Sequence, residues 1–402
     1  MATDPATLQL ARGYRFAGVA CGIRPGDDPA RRDLALVLSD TPAAAAGVFT
    51  QNRVVAAPVR LCCEWLPSPA VRGFVVCSGN ANACTGEQGL HDARRMAARA
   101  AEALGCRPEQ MLVCSTGVIG RRLPMDRVEQ GIGRAAKSLA ATAGALGDAA
   151  HAILTTDTHV KVSTRVLSAG GAEVRLTGFA KGAAMIGPNM ATLLAFVLCD
   201  AAVPCEHLAG LARRAAARTF NCVRVEGHTS TNDTLLLLAN GRGAPPVGAD
   251  LAAFDEAVTV VCADLARAIA ADAEGASHLV TIRVEGLRTE EEARRVARAV
   301  ADSPLVKTAV YGADPNWGRV VSAAGYAGVA FEEEDLSLWL GDLLLYRAGT
   351  PQPFDAAAAS GYLKNNRDVE LRLRFTLGDA GCTLWTCDLT REYVTLNADY
   401  TT

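Results

Sequence analysis

Residues 181–195 read KGAAMIGPNMATLLA, a loop-forming segment that runs straight into an apolar element. Gly182, Gly187 and Pro188 keep its first half irregular, because glycine opens left-handed backbone and proline removes a donor. From Thr192 the chain turns apolar, TLLAFVL over 192–198, a length that fits a buried strand or a turn of helix. The threonine at that junction has two readings. Local chemistry makes it a helix N-cap or strand-edge residue. Otherwise it is a nucleophile of the chain's own making. An internal threonine hydroxyl has no base attached. Cutting the Ala191–Thr192 bond would free an α-amine of pKa roughly 7.7–8.0 beside that hydroxyl, and the amine could serve as base.

Outward from this stretch, helical and strand patterns alternate. Apolar spacing predicts helices over 92–104 (closed by Gly105), 135–146, 208–217 and 251–271. Thr289 followed by Glu290, Glu291 and Glu292 has the capping-box form that opens another. Short β-type runs lie at 34–38, 73–77, 111–114, 173–178, 235–239 and 278–284, and 368–377 and 382–389 alternate like half-buried strands. Pattern alone therefore gives an α/β or α+β chain. No Gly-x-Gly-x-x-Gly follows a strand and no P-loop is present, so dinucleotide and P-loop chemistry find no support.

With 402 residues, half of them hydrophobic and 21% charged, the chain is long enough for a sizeable core in two or three lobes. A formal net charge of −3 gives no electrostatic reason to expect nucleic acid or an anionic membrane as partner. The start MATDPATLQLARGYRF has no basic segment followed by an apolar run, and no apolar stretch reaches the roughly 18–20 residues of a membrane span. A soluble cytoplasmic protein is expected. The 13 cysteines are an odd number without a Cys-x-x-Cys pair, and the six histidines are scattered. They read as small core residues, with no metal expected. The acidic run 332–335 reads as a solvated turn.

A further set of short blocks carries a resemblance. They are GYRFAGV (13–19), GVFTQNR (47–53), SGNANACTG (78–86), STGVIG (115–120), TTDT (155–158), TSTND (229–233), GADPNWGR (312–319) and NADYTT (397–402), with KGAAMIGPNMATLLAF between. Taken in order, they resemble the ArgJ family, the ornithine acetyltransferases or glutamate N-acetyltransferases. The resemblance implies a DmpA/ArgJ-like sandwich of β-sheets between helical layers, an autoprocessed Thr-nucleophile (Ntn-like) enzyme. The cut would leave an α piece of residues 1–191 and a β piece of 192–402, packed as one body and paired as α2β2.

By the same resemblance Thr192 is the nucleophile, Ala191/Thr192 the cleavage site, and Thr116 and Gly117 the oxyanion hole. Thr155, Lys181, Thr192, Glu274, Asn397 and Thr402 become the substrate positions. The chemistry fits an N-acetylated α-amino acid: Lys181 can pair with the α-carboxylate and Glu274 with the side-chain ammonium of ornithine. Taken as ordinary residues, 114–117 is a strand ending in a turn, Lys181 a surface lysine and Glu274 a helix-end residue before Gly275. The Asn- and Gly-rich blocks around 80–84 and 314–319 read as turns that shape loops. The implied reaction is ping-pong transfer of acetyl from N-acetyl-L-ornithine to L-glutamate in arginine biosynthesis, without cofactor. Use of acetyl-CoA as a donor is left open.

Three positions depart from the family pattern. Glu226-Gly227-His228 stands where the family has Asp-Gly-Asp, Ala184 where it has glycine, and Thr401 where it has arginine. These bear on acceptor range and on the speed of self-processing. An acyltransferase of secondary metabolism, an aminopeptidase-like hydrolase on the same fold, and a non-catalytic binding protein that never cleaves are the alternative readings.

Overall fold

In the computed structural model, which describes residues 8–24, 28, 30–169, 171–187 and 193–399, the apolar run after residue 192 is a strand. Leu194–Cys199 and Thr234–Ala239 are buried at every position and pair in parallel. Uninterrupted apolar text of this kind marks a strand covered on both faces, and these two lie inside the first of two compact units. That unit comprises residues up to 221 together with 228–269. Its strands are β1 (Tyr14–Val19), β2 (Leu34–Phe49), β3 (Ser68–Asn80), β4 (Met111–Val118), β5 (Lys161–Ala169), β6 (Ala172–Lys181), β7 (Leu194–Cys199) and β8 (Thr234–Ala239). They form one sheet in the order β4-β3-β2-β8-β7-β6-β5, with β1 paired to β2.

Long strand β2 changes partners along its length. Its first residues pair with β1 and β3, and Ala44–Phe49 pair with β8 after a register shift. Helices α1 (Ala57–Trp65), α2 (Gly86–Leu104), α3 (Met125–Ser138) and α4 (Ala143–Ala152) pack near β1–β4. Helix α5 (Cys205–Arg218) packs on β2 and β8. Helix α6 (Ala249–Ala271) presses close to β6, where a Cβ on Gly178 would come within 2.5 Å of a Val261 methyl. Four aromatic rings knit the interior: Phe74 stacks on Phe196 at 4.3 Å, and Phe179 lies beside Phe196 at 5.0 Å and edge-on to Phe16 at 6.4 Å.

The second unit comprises 222–227 and the chain from 270 onward. It holds β9 (Leu279–Leu287), β10 (Ser337–Leu340), β11 (Leu343–Arg347), β12 (Thr350–Pro351), β13 (Asp368–Arg374) and β14 (Ala380–Cys387). Their order is β12-β11-β10-β13-β9-β14. Helices α7 (Glu290–Asp302), α8 (Pro304–Tyr311), α9 (Trp317–Gly325), α10 (Ala356–Asn365) and α11 (Arg391–Asp399) complete it. Val296 and Val300 of α7 are buried in a core with Ile282, Val284 and Leu384 of the sheet. The fold is thus α/β, one of the two classes that the sequence pattern allows.

Most predicted elements are present, one with a correction. The helix expected over 135–146 is two helices, because the chain leaves α3 after Ser138. Ala140 exchanges two backbone hydrogen bonds with Phe16 (2.9 and 3.1 Å), and Thr142 then caps α4 by accepting from Ala145 N. Gly105 closes α2 in left-handed backbone at φ 66°. Thr289 caps α7 through the Glu292 N–H, but the Glu292 carboxylate turns to the backbone N–H of Arg288 rather than that of Thr289. The acidic run ends in an exposed 3₁₀ turn, Glu333–Asp335.

Candidate active site

The expected oxyanion position is the end of β4, held against the end of β3. Gly117 pairs with Gly79 in the parallel ladder, and both have positive φ (128° and 95°). A Cβ at Gly117 would lie 2.4 Å from the carbonyl carbon of Gly79 and 2.5 Å from Asn80 N. Two backbones meet there with no room for a side chain, and glycine alone adopts that conformation without strain. Around them the Asn-rich blocks fasten one another. Asn232 Nδ2 donates to the carbonyls of Ala81 (2.6 Å) and Ser115 (2.8 Å), and Asn80 Nδ2 donates to Arg122 O. These residues shape the loops, as their turn chemistry predicts.

Lys181 ends β6 and is 3% exposed, so the surface-lysine reading is excluded. Its ammonium donates to Thr116 Oγ1 at 3.4 Å and lies 4.0 Å from Asp157 Oδ2. Asp157, itself buried, is the centre of the cluster. Its Oδ1 accepts from Lys161 Nζ (2.7 Å) and from Gly182 N (2.6 Å), and its Oδ2 accepts from Thr155 N (3.2 Å). Burial opposes the charged form, but Lys181, Lys161 and the hydrogen bonds outweigh it and hold the carboxyl at about 2. Thr155, half-buried, also gives its carbonyl to Arg31 at 2.8 Å. Thr116, Gly117, Thr155 and Lys181 therefore share one neighbourhood built on the ends of β4 and β6.

Glu274 and Asn397 belong to the second unit, where Asn397 Nδ2 donates to Glu274 Oε2 at 3.1 Å. The segment around Glu274 is pinned. Gly275 has φ 66°, its carbonyl accepts from Thr390 Oγ1 (2.6 Å), and a Cβ there would lie 2.5 Å from Tyr393 N. Nearby, Asp388 accepts from Ser277 N (2.9 Å) and pairs with His278 Nδ1 (2.7 Å), while His278 Nε2 meets Leu363 O (2.9 Å). Acceptors face both ring nitrogens, and the imidazole pKa is raised from its ordinary value, first by the Asp388 bond.

Ala191, Thr192 and Thr402 lie outside the described residues. Of the departures, His228 is exposed and Ala184 half-buried, and the adjacent Met185 has φ 60°; Thr401 is outside the described residues. Asp157 and Lys161 had no role in the sequence reading, although Asp157 falls in the TTDT block. Their signal was weak: one acid and one lysine four residues apart in a polar loop. Among the described residues no cluster of His, Cys, Asp or Glu could hold a metal ion.

Comparison with known proteins bears on this arrangement. The sequence profile of the ArgJ family matches residues 15–402. The chain belongs to the ArgJ family. This family member is 50% identical to the arginine biosynthesis bifunctional protein ArgJ of Symbiobacterium thermophilum, over 97% of each chain. It is 45% identical to the arginine biosynthesis bifunctional protein ArgJ 1 of Nostoc, over 98% of each. A solved ArgJ chain from Bacillus halodurans is 38% identical and covers 51% of this chain and 98% of its own, with a TM-score of 0.49. No helix among the described residues of this ArgJ-family chain is long and apolar enough to cross a membrane.

Proposed function

We propose that this chain transfers acetyl through a threonine it liberates itself, by cutting between Ala191 and Thr192. The activity, glutamate N-acetyltransferase (ornithine acetyltransferase) of arginine biosynthesis, follows from membership of the family over residues 15–402. That match over residues 15–402, with GPNMAT intact, is the observation that carries the proposal.

In the self-cleavage, the Thr192 hydroxyl oxygen bonds to the Ala191 carbonyl carbon. The peptide C–N bond breaks, and the hydroxyl proton ends on the departing nitrogen. Water then hydrolyses the resulting ester, leaving an Ala191 carboxylate, the Thr192 hydroxyl and a free amine. In turnover the amine takes the hydroxyl proton as Thr192 attacks the acetyl carbonyl of N-acetyl-L-ornithine, and passes it to the leaving ornithine nitrogen. The amine of L-glutamate attacks the acetyl-threonine, and a proton returns to the hydroxyl.

Thr116 and Gly117 would hold the oxyanion. The close packing of Gly117 on Gly79 supports this, because it fixes the positive-φ backbone there, and fixed backbone donors are what an oxyanion hole requires. Lys181, with its charge 3.4 Å from the Thr116 hydroxyl, suits the substrate α-carboxylate, and Thr155 would line the same end. Glu274, steadied by Asn397, suits the side-chain ammonium of ornithine, and Thr402 would add its carboxylate and hydroxyl. The ladder from Leu176–Cys199 to Lys181–Leu194 spans the expected cut, so pieces 1–191 and 192–402 would stay joined through one sheet. We further propose an α2β2 assembly in the cytoplasm, with acetyl-CoA as a second donor for glutamate.

Denaturing intact-mass spectra of the wild type and Thr192→Ala test the core of the proposal. Two fragments meeting at 191/192 in the wild type and one chain in the mutant are expected. An uncut, active wild type would overturn it. Acetate release independent of glutamate would favour the hydrolase, and the absence of N-acetylglutamate from acetyl-CoA would remove the second donor.

A further inference from the structure

Asp233 is a buried carboxyl that nothing in the reaction above uses. It directly precedes β8, is 0% exposed, and sits ahead of the apolar run TLLLLA. Its Oδ1 accepts from the backbone N–H of Leu193 at 3.2 Å. Its Oδ2 is buried without a hydrogen-bond partner among the described residues. The next residue completes a clasp on the same spot, since Thr234 N donates to Leu193 O at 3.0 Å. Asp233's own carbonyl accepts from Thr50 N at 2.9 Å, which ties the clasp to the segment after β2.

Leu193 N is bonded to the carbonyl carbon of Thr192, so whatever fixes the Leu193 peptide fixes where residue 192 ends. A peptide unit is planar and its bonds are short, about 1.33 Å for C–N. A carboxyl gripping that N–H therefore acts one peptide away from the proposed nucleophile. A strand that merely needed its first N–H satisfied would find a backbone carbonyl in the ladder, as its other residues do. A buried acid is a costly substitute, and natural proteins keep such groups where position matters.

We infer that Asp233 is a positioning residue for Thr192, holding through Leu193 N–H the backbone from which the nucleophile projects. The inference rests on the reading of Thr192 as nucleophile. Burial raises the Asp233 pKa well above the usual carboxylate value, against the pull of the Leu193 N–H, the Ser230 hydroxyl, the nearby Lys181 ammonium and the Thr50 hydroxyl. That shift favours the neutral form, and an anion one peptide away would favour the protonated form of the freed α-amine.

The test compares Asp233→Asn, Asp233→Ala and Thr192→Ala with the wild type. Each is purified and its folding checked by circular dichroism. The rate of self-cleavage is read by intact mass, and kcat and KM on the processed fraction. Asn keeps a neutral acceptor of the same shape, so its cleavage rate, kcat and pH profile are expected to stay within about threefold of wild type. Ala frees the Leu193 peptide, and a displacement near 1 Å costs on the order of 10²-fold. Cleavage and kcat should both fall by about that factor while KM for N-acetyl-L-ornithine changes little. Wild-type rates in folded Asp233→Ala, or a loss in Asp233→Asn as deep as in Ala, would overturn the inference. Cleavage that persists in Thr192→Ala would overturn the underlying reading of Thr192 instead, so the two failures are separable.

Discussion

Replacing Asp157 by Asn should be among the most damaging single changes in the first unit. The carboxylate is fully buried and stands between two buried lysines, 2.7 Å from Lys161 Nζ and 4.0 Å from Lys181 Nζ. Its pKa falls from 3.8 to about 2 on folding. A drop of nearly two units, at about 1.36 kcal/mol each, is worth about 2.5 kcal/mol. Because the folded value is depressed, this stability is present above pH 3.8 and is lost as pH falls toward 2. The substitution also leaves two buried ammonium groups with no negative charge between them. Breaking a buried pair costs about 3–5 kcal/mol, so Asp157→Asn should lose at least the first figure and approach the second. Urea unfolding of wild type and mutant between pH 7 and pH 3 measures both. The difference between the two proteins should be largest at pH 7 and shrink in acid. Hydrogen exchange gives a local readout, because the Gly182 N–H donates to Asp157 at 2.6 Å and should exchange faster in the mutant. A mutant within about 0.5 kcal/mol of wild type at pH 7, with unchanged Gly182 exchange, would refute the cluster as a source of stability.

Gly117→Ala should reduce kcat by about 10²–10³-fold and lower the melting temperature. The new Cβ meets Gly79 and Asn80 backbone inside 2.6 Å at φ 128°; steady-state rates and thermal melts check it. Glu274→Gln removes a charge from the expected contact with the ornithine ammonium. It should raise KM for N-acetyl-L-ornithine about 10–100-fold, the worth of one charged hydrogen bond, with little change in kcat. For the His278–Asp388 pair the two signs differ. The His278 pKa lies above 6.5, so its contribution is full below 6.5 and lost as pH rises through the folded value. The Asp388 pKa lies below 3.8, because the His278 and Ser277 bonds overcome burial, so its contribution is present above 3.8 and lost in acid. Melting temperatures from pH 4 to 9 should show a plateau between those limits that Asp388→Asn flattens.

Much of the architecture was legible before any coordinates. The runs at 34–38, 235–239 and 194–199 are strands because uninterrupted apolar text of that length suits only a covered strand or a short buried helix, and flanking Gly, Asn and Asp favour the strand. Helix α2 ended at Gly105 as written, since glycine alone enters left-handed backbone freely. The 135–146 region was misjudged for a related reason. Its alanines satisfy a helical pattern, but Ala140 takes its hydrogen bonds from Phe16, more than a hundred residues away, and no local pattern records such a partner.

The candidate site divides along the same line. Thr192 is marked by sequence alone, because its proposed chemistry is covalent and belongs to neighbouring atoms of one chain. The glycine at 117 was visible in the STGVIG block, and only the packed sheet showed that Gly79 leaves no space for a Cβ. Asp157, Lys161 and Asp233 were ordinary polar letters until folding buried them. Removing water makes each unpaired charge or donor expensive, so position in the interior, not residue type, decides which of them matter. The sequence by itself carried the family, most of the strands and helices, and the junction at 191/192 on which the proposed self-cleavage rests. Tertiary structure decided which carboxylates are buried, which N–H groups they hold and which glycines have no room for a side chain, because those properties arise from atoms brought together across distant parts of the chain.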